Sequence, residues 1–339
     1  MRRRPAFVFI VLGLALAGAV AASLLTGVVR LGVGEVLRAL AVGPGGAGGG
    51  GAGLARTVVW EVRFPRALLG VLVGMALALA GAVMQSFFRN PMADPYIVGV
   101  SAGAALGAVT AIVFGLGSAA GAFSGVSLLA FVGALAATWL VYLLSRRGGR
   151  VPVATLLLTG IAVGSLLTAL TSFLTITRQE SARVVLFWLM GSLAAARWEQ
   201  VATVAVYGVV GLGVVALYAR DMDALLLGEE AAQELGVNVE RTRAVLLGAS
   251  ALVAAAAVSV TGLVGFVGLV VPHVVRLLVG PRHALLLPGS VLCGGVLLVS
   301  ADLLGRLLVS SEVPIGVVTA LLGAPFFLYL LARQRPPGV

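Results

Sequence analysis

Long apolar stretches separated by short polar breaks run along almost the whole chain. A helix that crosses the hydrocarbon core of a bilayer needs about 20 predominantly apolar residues, and ten stretches approach that length. We predict helical spans at 6–29, 64–87, 96–116, 119–145, 151–175, 197–219, 243–260, 263–279, 284–308 and 314–332. The pattern therefore predicts an all-α, polytopic membrane helical bundle of about ten transmembrane helices, with residues 1–339 forming a single transmembrane domain.

Two segments depart from this pattern. Residues 43–53, GPGGAGGGGAG, predict a flexible glycine-rich outer loop. Residues 179–193, QESARVVLFWLMGSL, are too short to cross and begin with charged residues, so they predict an interfacial or re-entrant outer helix with Trp188 near headgroup depth.

The composition agrees with a membrane protein and excludes several other classes. Hydrophobic residues make up 60% of the chain and charged residues 11%, against about 25% charged residues in an average soluble domain. One cysteine and two histidines are too few for a disulfide scaffold or a histidine-rich metal site, so we expect no metal site and no catalytic residues. All 23 basic residues are arginine, which excludes a Walker A loop because that loop requires lysine.

The arginines are distributed unevenly between the two predicted sides. The net charge is +10, and the arginines lie in the breaks between apolar stretches, as in a membrane protein rather than a nucleic-acid-binding protein. Fourteen of the 23 fall in the segments that lie on the same side as both termini. The positive-inside rule then predicts that both termini are cytoplasmic.

Two patterns after the second span predict a rigid turn and a closely packed helix face. In RNPMADP, residues 89–95, Pro91 and Pro95 forbid a continuous helix, Asn90 belongs to the turn, and Asp94 can bond backbone N–H groups of the next helix. This predicts a rigid turn, and a turn that faces a partner remains open. Gly99, Gly103 and Gly107 follow at helical spacing, which predicts close helix packing or a face that lines a path.

The inner segment 220–243 is unusually acidic. It holds six of the thirteen acidic residues and three arginines, giving a net charge of −3. Glu229 to Leu235 predict a short helix that Gly236 stops, and Asn238 can cap a second short helix. A docking element for a soluble partner and a solvated surface loop are both consistent with this pattern.

Ionisable residues inside the predicted spans provide the remaining candidates. Glycine at every third position from 262 to 268 predicts a helix break before His273 and Arg276, where the histidine is either a ligand or proton carrier or a packing residue. Asp302 and Arg306 are four apart on the ninth span, which predicts a structural ion pair or, alternatively, a proton or sodium site.

Taken together, these segments are similar to the FecCD permease family, the membrane subunits of ABC importers for vitamin B12, haem and ferric siderophores. The resemblance runs from about residue 60 to the C-terminus and is carried by 63–107, 187–193, 228–237, 262–283 and 301–331. It implies a vitamin B12 permease-like fold, in which two copies of the chain form one pore in the cytoplasmic (inner) membrane of a bacterium or archaeon. It also implies two ATPase subunits on the cytoplasmic face, which hold the ATP and Mg, and a periplasmic or lipid-anchored binding protein outside. The resemblance further implies contact with membrane lipid, and it implies that the chain itself binds no cofactor and is not an enzyme.

The resemblance also assigns roles to residues. The ATPase-coupling residues are Leu227, Gly228, Glu229, Glu230, Ala231, Ala232, Glu234, Leu235 and Gly236. The pore residues are Thr159, Ser165, Thr168, Ser172, His273 and Arg276, and in a haem importer His273 and His283 would be transient iron ligands. The outer arginines that would receive the binding protein are Arg56, Arg63, Arg66, Arg178, Arg183 and Arg197. The alternative function is an ion-coupled secondary transporter that uses Asp302.

Overall fold

The computed structural model describes residues 3–45, 51–116, 124–308 and 312–333, which are helical almost throughout. The helices are α1 (Arg3–Leu25), α2 (Val33–Val42), α3 (Gly51–Thr57), α4 (Phe64–Phe87), α5 (Val100–Val113), α6 (Gly125–Ser145), α7 (Val153–Thr177), α8 (Ala182–Met190), α9 (Trp198–Leu217), α10 (Ala219–Leu225), α11 (Glu229–Glu234), α12 (Val239–Thr261), α13 (Val267–Val279), α14 (His283–Leu308) and α15 (Ile315–Arg333). A π-helical segment, Val58–Arg63, joins α3 to α4.

The ten predicted spans coincide with ten apolar helices, so the predicted fold class is confirmed. Within the described residues, seven helices are long and apolar enough to cross a membrane: α1, α4, α6, α7, α9, α12 and α14. The apolar helices α5, α13 and α15 are shorter. Residues 119–123, the start of the fourth predicted span, lie outside the described residues.

The third span begins later than predicted. Pro95–Val98 form a 3₁₀ turn in which the Asp94 side chain accepts a hydrogen bond from the Tyr96 backbone N–H at 2.8 Å. Gly99 then takes a left-handed conformation, with φ of 91°, so α5 starts only at Val100. The predicted turn over 89–95, with Asp94 as its cap, is confirmed.

Helix α4 lies at the centre of the bundle and is buried along almost its whole length. It packs against α9, α12, α13 and α14, which is possible because small residues cover much of its surface. A β-carbon at Gly74 would overlap the Gly294 carbonyl of α14, and one at Gly81 would overlap the Gly268 carbonyl of α13. Glycine at these points lets the helix backbones touch.

The predicted close packing at Gly103 and Gly107 is also confirmed. A β-carbon at Gly103 would overlap the Gly133 carbonyl oxygen, and one at Gly107 would overlap the Leu129 carbonyl oxygen, both on α6. This face of α5 is therefore filled by a neighbouring helix and is not free to line a path.

The first outer loop is more ordered than its glycine content predicts. Residues 46–50 lie outside the described residues, but Gly51 to Gly53 belong to α3, so the predicted flexible loop over 43–53 is wrong at this end. The reason is that Ala55 and Val59, one helical turn apart, are buried. Val59 packs in a small cluster with Leu24 of α1.

Aromatic residues join this outer layer to the bundle. The indole N–H of Trp60 donates to the Ala39 carbonyl at 2.9 Å, and that of Trp198 donates to the Trp60 carbonyl at 2.9 Å. Phe64 packs edge-on against both indoles, with ring centroids 5.1 and 5.5 Å away. The short helix predicted over 179–193 is present as α8, and Val185 is its buried residue.

Candidate coupling segment and translocation groove

The acidic segment contains two short helices, α10 and α11. Gly228 and Gly236 flank α11 with φ of 120° and 83°, and the predicted stop at Gly236 is confirmed. The second short helix predicted after Asn238 is wrong. The Asn238 side chain does accept from the Arg241 backbone N–H at 3.0 Å, but the helix it caps is the long α12. Buried positions recur along the whole of α12 from Val239 to Thr261, so tertiary packing continues that helix through the bundle.

Three of the acidic side chains attach this segment to the bundle. Asp221 accepts from the Thr242 hydroxyl at 3.1 Å, and Glu229 pairs with Arg243 of α12 at 2.6 Å. Asp223 accepts from the backbone N–H of His283 at 2.9 Å and lies 2.6 Å from its Nδ1. These contacts explain the acidic composition in part, because charge-assisted hydrogen bonds are stronger than neutral ones.

His283 connects three helices. Its ring is fully buried, and its Nε2 contacts the Ser86 hydroxyl of α4 while Nδ1 faces Asp223 of α10. The order serine–histidine–aspartate matches a hydrolytic triad, but Ser86 is 1% exposed and His283 0% exposed, so no substrate can reach them. Both ring nitrogens of His283 are engaged in this structure.

The outward face of the segment is apolar with acidic flanks. Leu227 is 71% exposed and Leu235 65% exposed, and Glu230 and Glu234 point outward beside them. The predicted coupling residues therefore divide into two groups. The exposed or half-exposed ones are Leu227, Gly228, Glu230, Ala231, Glu234, Leu235 and Gly236, whereas Ala232 is buried and Glu229 is turned to Arg243.

An open groove of about 760 Å³ runs along one face of α7. Its lining residues are small, apolar or hydroxylated: Tyr96, Ile97, Ser101, Ala102, Leu157, Gly160, Ile161, Gly164, Ser165, Thr168, Ala169 and Ser172. Three of the predicted pore residues, Ser165, Thr168 and Ser172, are among them. Thr159 is not among these lining residues, because it lies on a different face of the helix.

The other two predicted pore residues lie on α13 and do not line this groove. The Arg276 guanidinium donates to the Gln85 side chain of α4 at 3.0 Å, and the Gln85 amide donates to the Leu269 carbonyl at 3.0 Å. His273 is half-buried and faces the Phe326 ring of α15, with centroids 6.4 Å apart. The helix break predicted before this histidine is confirmed, since α12 ends at Thr261 and α13 begins at Val267.

The outer arginines also divide into two groups. Arg178, Arg183 and Arg197 are exposed and Arg56 is half-buried. Arg63 is 4% exposed and donates to the Leu24 carbonyl at 2.6 Å and to the Val29 carbonyl. It is closed off from the outer surface, which corrects its assignment as a docking residue.

Arg66 belongs to a buried ionic network rather than to a docking surface, which is a second correction. Its guanidinium donates to Asp302 at 2.8 Å and to Glu312 at 3.1 Å. On the other side, Arg306 Nε lies 3.1 Å from Asp302 as an ion pair, and its terminal nitrogen donates to the Ser23 hydroxyl of α1 at 2.6 Å. The predicted pair of Asp302 and Arg306 is confirmed, and the network joins the outer ends of α1, α4 and α14.

Sequence reasoning missed three polar residues that organise the inner end. Gln85 and Ser86 lie at the end of an otherwise apolar span. A polar pair in that position could have indicated partners on neighbouring helices. Asp223 carried no signal of its own, because its partner His283 is 60 residues away in the sequence.

Comparison with known proteins agrees with this architecture. The model of the FecCD transport family matches residues 14–333. The cobalamin import system permease protein of Halobacterium salinarum is 52% identical over 83% of this chain and 74% of its own length. The hemin transport system permease protein of Yersinia pestis is 44% identical over 82% of this chain and 84% of its own length.

A solved structure extends the agreement to three dimensions. It is described as an inward-facing conformation of a metal-chelate type ABC transporter, and it aligns with a TM-score of 0.84 at 32% identity. The alignment covers 97% of this chain and 100% of that chain. The chain is thus a multi-pass permease subunit and not an enzyme, and it belongs to the FecCD transport family.

Proposed function

We propose that two copies of this chain form the pore of an ATP-driven importer that takes up an iron chelate, haem or vitamin B12. The observation that carries the ATP-driven part is the geometry of α10 and α11. Their outward face offers Leu227 and Leu235 to a soluble partner, while Asp223 and Glu229 bind the same segment firmly to the bundle. An ATPase seated there can move the membrane helices.

The exposed polar face of α7 supports a second copy of the chain. Ser165, Thr168 and Ser172 are all exposed in the single chain. Hydroxyls that face lipid lose their hydrogen bonds with water, so such a face belongs on a water-filled path. A symmetry-related copy that packs against α7 and α15 closes the open groove into a pore between the two chains.

The lining of the groove fits a bulky cargo that must pass without being held. It contains no charged side chain, and Thr168 has its hydroxyl bonded to the Gly164 carbonyl at 2.8 Å. The printed names of the relatives, cobalamin and hemin, and the description metal-chelate support this class of cargo. A periplasmic or lipid-anchored binding protein would deliver it to the outer surface, where Arg56, Arg178, Arg183 and Arg197 are accessible.

In this mechanism the chain itself carries no cofactor, and ATP and Mg belong to the ATPase. Nucleotide binding closes the ATPase dimer, which draws the two α10–α11 segments together and shifts the population between outward and inward access. We place the chain in the cytoplasmic (inner) membrane with both termini in the cytoplasm, on the arginine distribution described above.

Reconstitution tests this proposal directly. The chain would be purified in mild detergent with its co-purifying proteins and then placed in vesicles. The loaded binding protein would be added to these vesicles. We expect two permeases and two ATPases per particle, uptake only with ATP, and a Soret, corrinoid or charge-transfer absorption band that identifies the cargo. Uptake by the chain alone, without ATP, would show that the proposal is wrong.

The contacts of Asp302 do not favour the alternative function, an ion-coupled secondary transporter. Asp302 lies between Arg66 and Arg306 and is 5% exposed. Two arginine partners bind the Asp302 carboxylate, whereas an ion-coupled carrier needs a carboxylate that is free to bind and release its ion.

A further inference from the structure

We propose that a groove between α6 and α12 binds an acyl chain of an anionic phospholipid, whose phosphate is held by Arg146 and Arg241. The groove has a volume of about 430 Å³, and none of its lining residues lines the α7 groove or belongs to α10 or α11. It is lined by Leu135, Thr138, Trp139, Tyr142, Arg146, Ala244, Leu247, Gly248 and Ala251.

Small residues on α12 create the groove. Ala244, Gly248 and Ala251 recur at intervals of four and three residues and so share one helix face. Gly248 is exposed, and a β-carbon built on it would meet no atom within 4 Å. Leu135 and Trp139 of α6 form the opposite wall. An apolar channel of this kind is suited to an acyl chain.

An aromatic pair marks the depth of the groove. The rings of Trp139 and Tyr142 stack with centroids 5.9 Å apart. Tryptophan and tyrosine are enriched at the level of the lipid headgroups. Arg146 directly follows the end of α6, four residues after Tyr142, and its side chain lines the groove at the end where a phosphate would be.

Positive charge from both helices gathers at this end of the groove. The Val151 backbone N–H donates to Glu240 at 3.2 Å, which brings the loop that follows α6 next to the start of α12. Arg146 and Arg241 are exposed, and within the described part of the chain neither forms an ion pair, while Glu240 is already engaged by Val151. Basic pockets between helices bind anionic headgroups, so the charge selects an anionic lipid over a zwitterionic one.

Native mass spectrometry of the full-length chain in detergent tests this site independently of transport. The affinity for the first bound lipid is measured with dioleoyl phosphatidylglycerol and with dioleoyl phosphatidylcholine. We expect tighter binding of the anionic lipid, and a loss of about 25-fold in the R146Q/R241Q double variant, because each arginine near an anionic surface contributes about fivefold. The affinity for phosphatidylcholine should not change.

Two further variants separate the headgroup contact from the acyl-chain contact. R220Q/R282Q removes the same net charge from exposed inner arginines away from the groove and should leave both affinities unchanged. Gly248→Leu fills the groove without a clash at the backbone and should weaken both lipids. Equal losses in the two double variants, unchanged lipid affinity in Gly248→Leu, or full competition by inorganic phosphate alone would overturn the proposal.

Discussion

Single residues where α1, α4 and α14 meet carry large electrostatic effects because of their burial. Arg66 has two carboxylate partners that differ in exposure: Asp302 is 5% exposed and Glu312 is 40% exposed. Surface ion pairs contribute little because solvent screens them, whereas removal of one member of a buried pair leaves an uncompensated charge. The same arginine therefore provides a matched comparison of the two situations.

Asp302→Ala is expected to destabilise the folded chain by about 3–5 kcal/mol, because Arg66 and Arg306 both lose their buried partner. Glu312→Gln, the matched control, should cost less than about 1 kcal/mol. Unfolding of each variant in the same detergent, followed by circular dichroism, measures the difference. Equal losses in the two variants would contradict the assignment of Asp302 as the centre of the network.

Gly103→Leu is expected to destabilise the chain by about 1–3 kcal/mol or more, because the side chain would enter the space held by the Gly133 carbonyl of α6. Gly213→Leu on α9 is the control, since a β-carbon there meets no atom within 4 Å and the position is exposed. Thermal unfolding in detergent compares the two. A Gly103→Leu protein as stable as the Gly213→Leu protein would rule out close packing at this position.

At the scale of elements, the attachments of α10 reach two membrane helices, so in the proposed transporter α10 would act as a lever. Asp223 binds His283 at the start of α14, and His283 contacts Ser86 at the end of α4. Asp221 makes a weaker connection, a single bond of 3.1 Å to the Thr242 hydroxyl. Loss of Asp223 should therefore break the connection between α10 and α14, whereas loss of the Asp221 charge should leave that connection intact.

Asp223→Ala leaves His283 Nδ1 buried without its partner, which should cost about 1–3 kcal/mol of the contact between α10 and α14. We expect the ATPase to remain bound while uptake per ATP hydrolysed falls severalfold, because movement of α10 no longer reaches α14. Asp221→Asn should keep normal uptake, since an amide oxygen still accepts from Thr242. Uptake and ATP hydrolysis measured in the same vesicles give this ratio, and a normal ratio in Asp223→Ala would exclude the lever.

The two faces of α11 should respond differently to substitution. Glu230→Arg together with Glu234→Arg reverses charge on the exposed face, so we expect the ATPase to be lost on co-purification while the bundle stays folded. Glu229→Ala removes the bond to Arg243 and should mainly lower stability, because the Glu229 carboxylate is paired with the bundle rather than with the partner. ATPase retained by the doubly reversed variant would show that the main dock lies elsewhere.

The sequence predicts elements well here and side-chain partners less well. Ten spans, the stop at Gly236 and the pair of Asp302 with Arg306 all follow from local spacing. The roles of Arg63 and Arg66 do not, because an arginine near an outer turn has the same local pattern whether it points to water or to a buried carboxylate. Asn238 shows the same limit: its cap is local, but the length of the helix that follows depends on tertiary burial.

At the scale of the whole molecule, one side of the single chain carries an open groove. The α7 groove is open, and its polar residues Ser165, Thr168 and Ser172 are exposed where other peripheral helices present apolar residues. On α9, by contrast, the exposed position Val209 is 71% accessible and apolar. If the groove is half of a pore, water must reach α7 in the assembled transporter, whereas this face of α9 must contact lipid and no water.

Thiol labelling distinguishes these environments, with Cys293→Ala as the background because Cys293 is the only native cysteine. We expect Thr168→Cys to react with a membrane-impermeant thiol reagent, since a thiolate forms readily only in contact with water, and Val209→Cys to stay unmodified. Labelling of Thr168→Cys should also change when ATP is added to the complete complex, because the pore switches its accessible side. Equal labelling at the two positions would mean that α7 faces lipid, and the pore would then have to be sought along another helix.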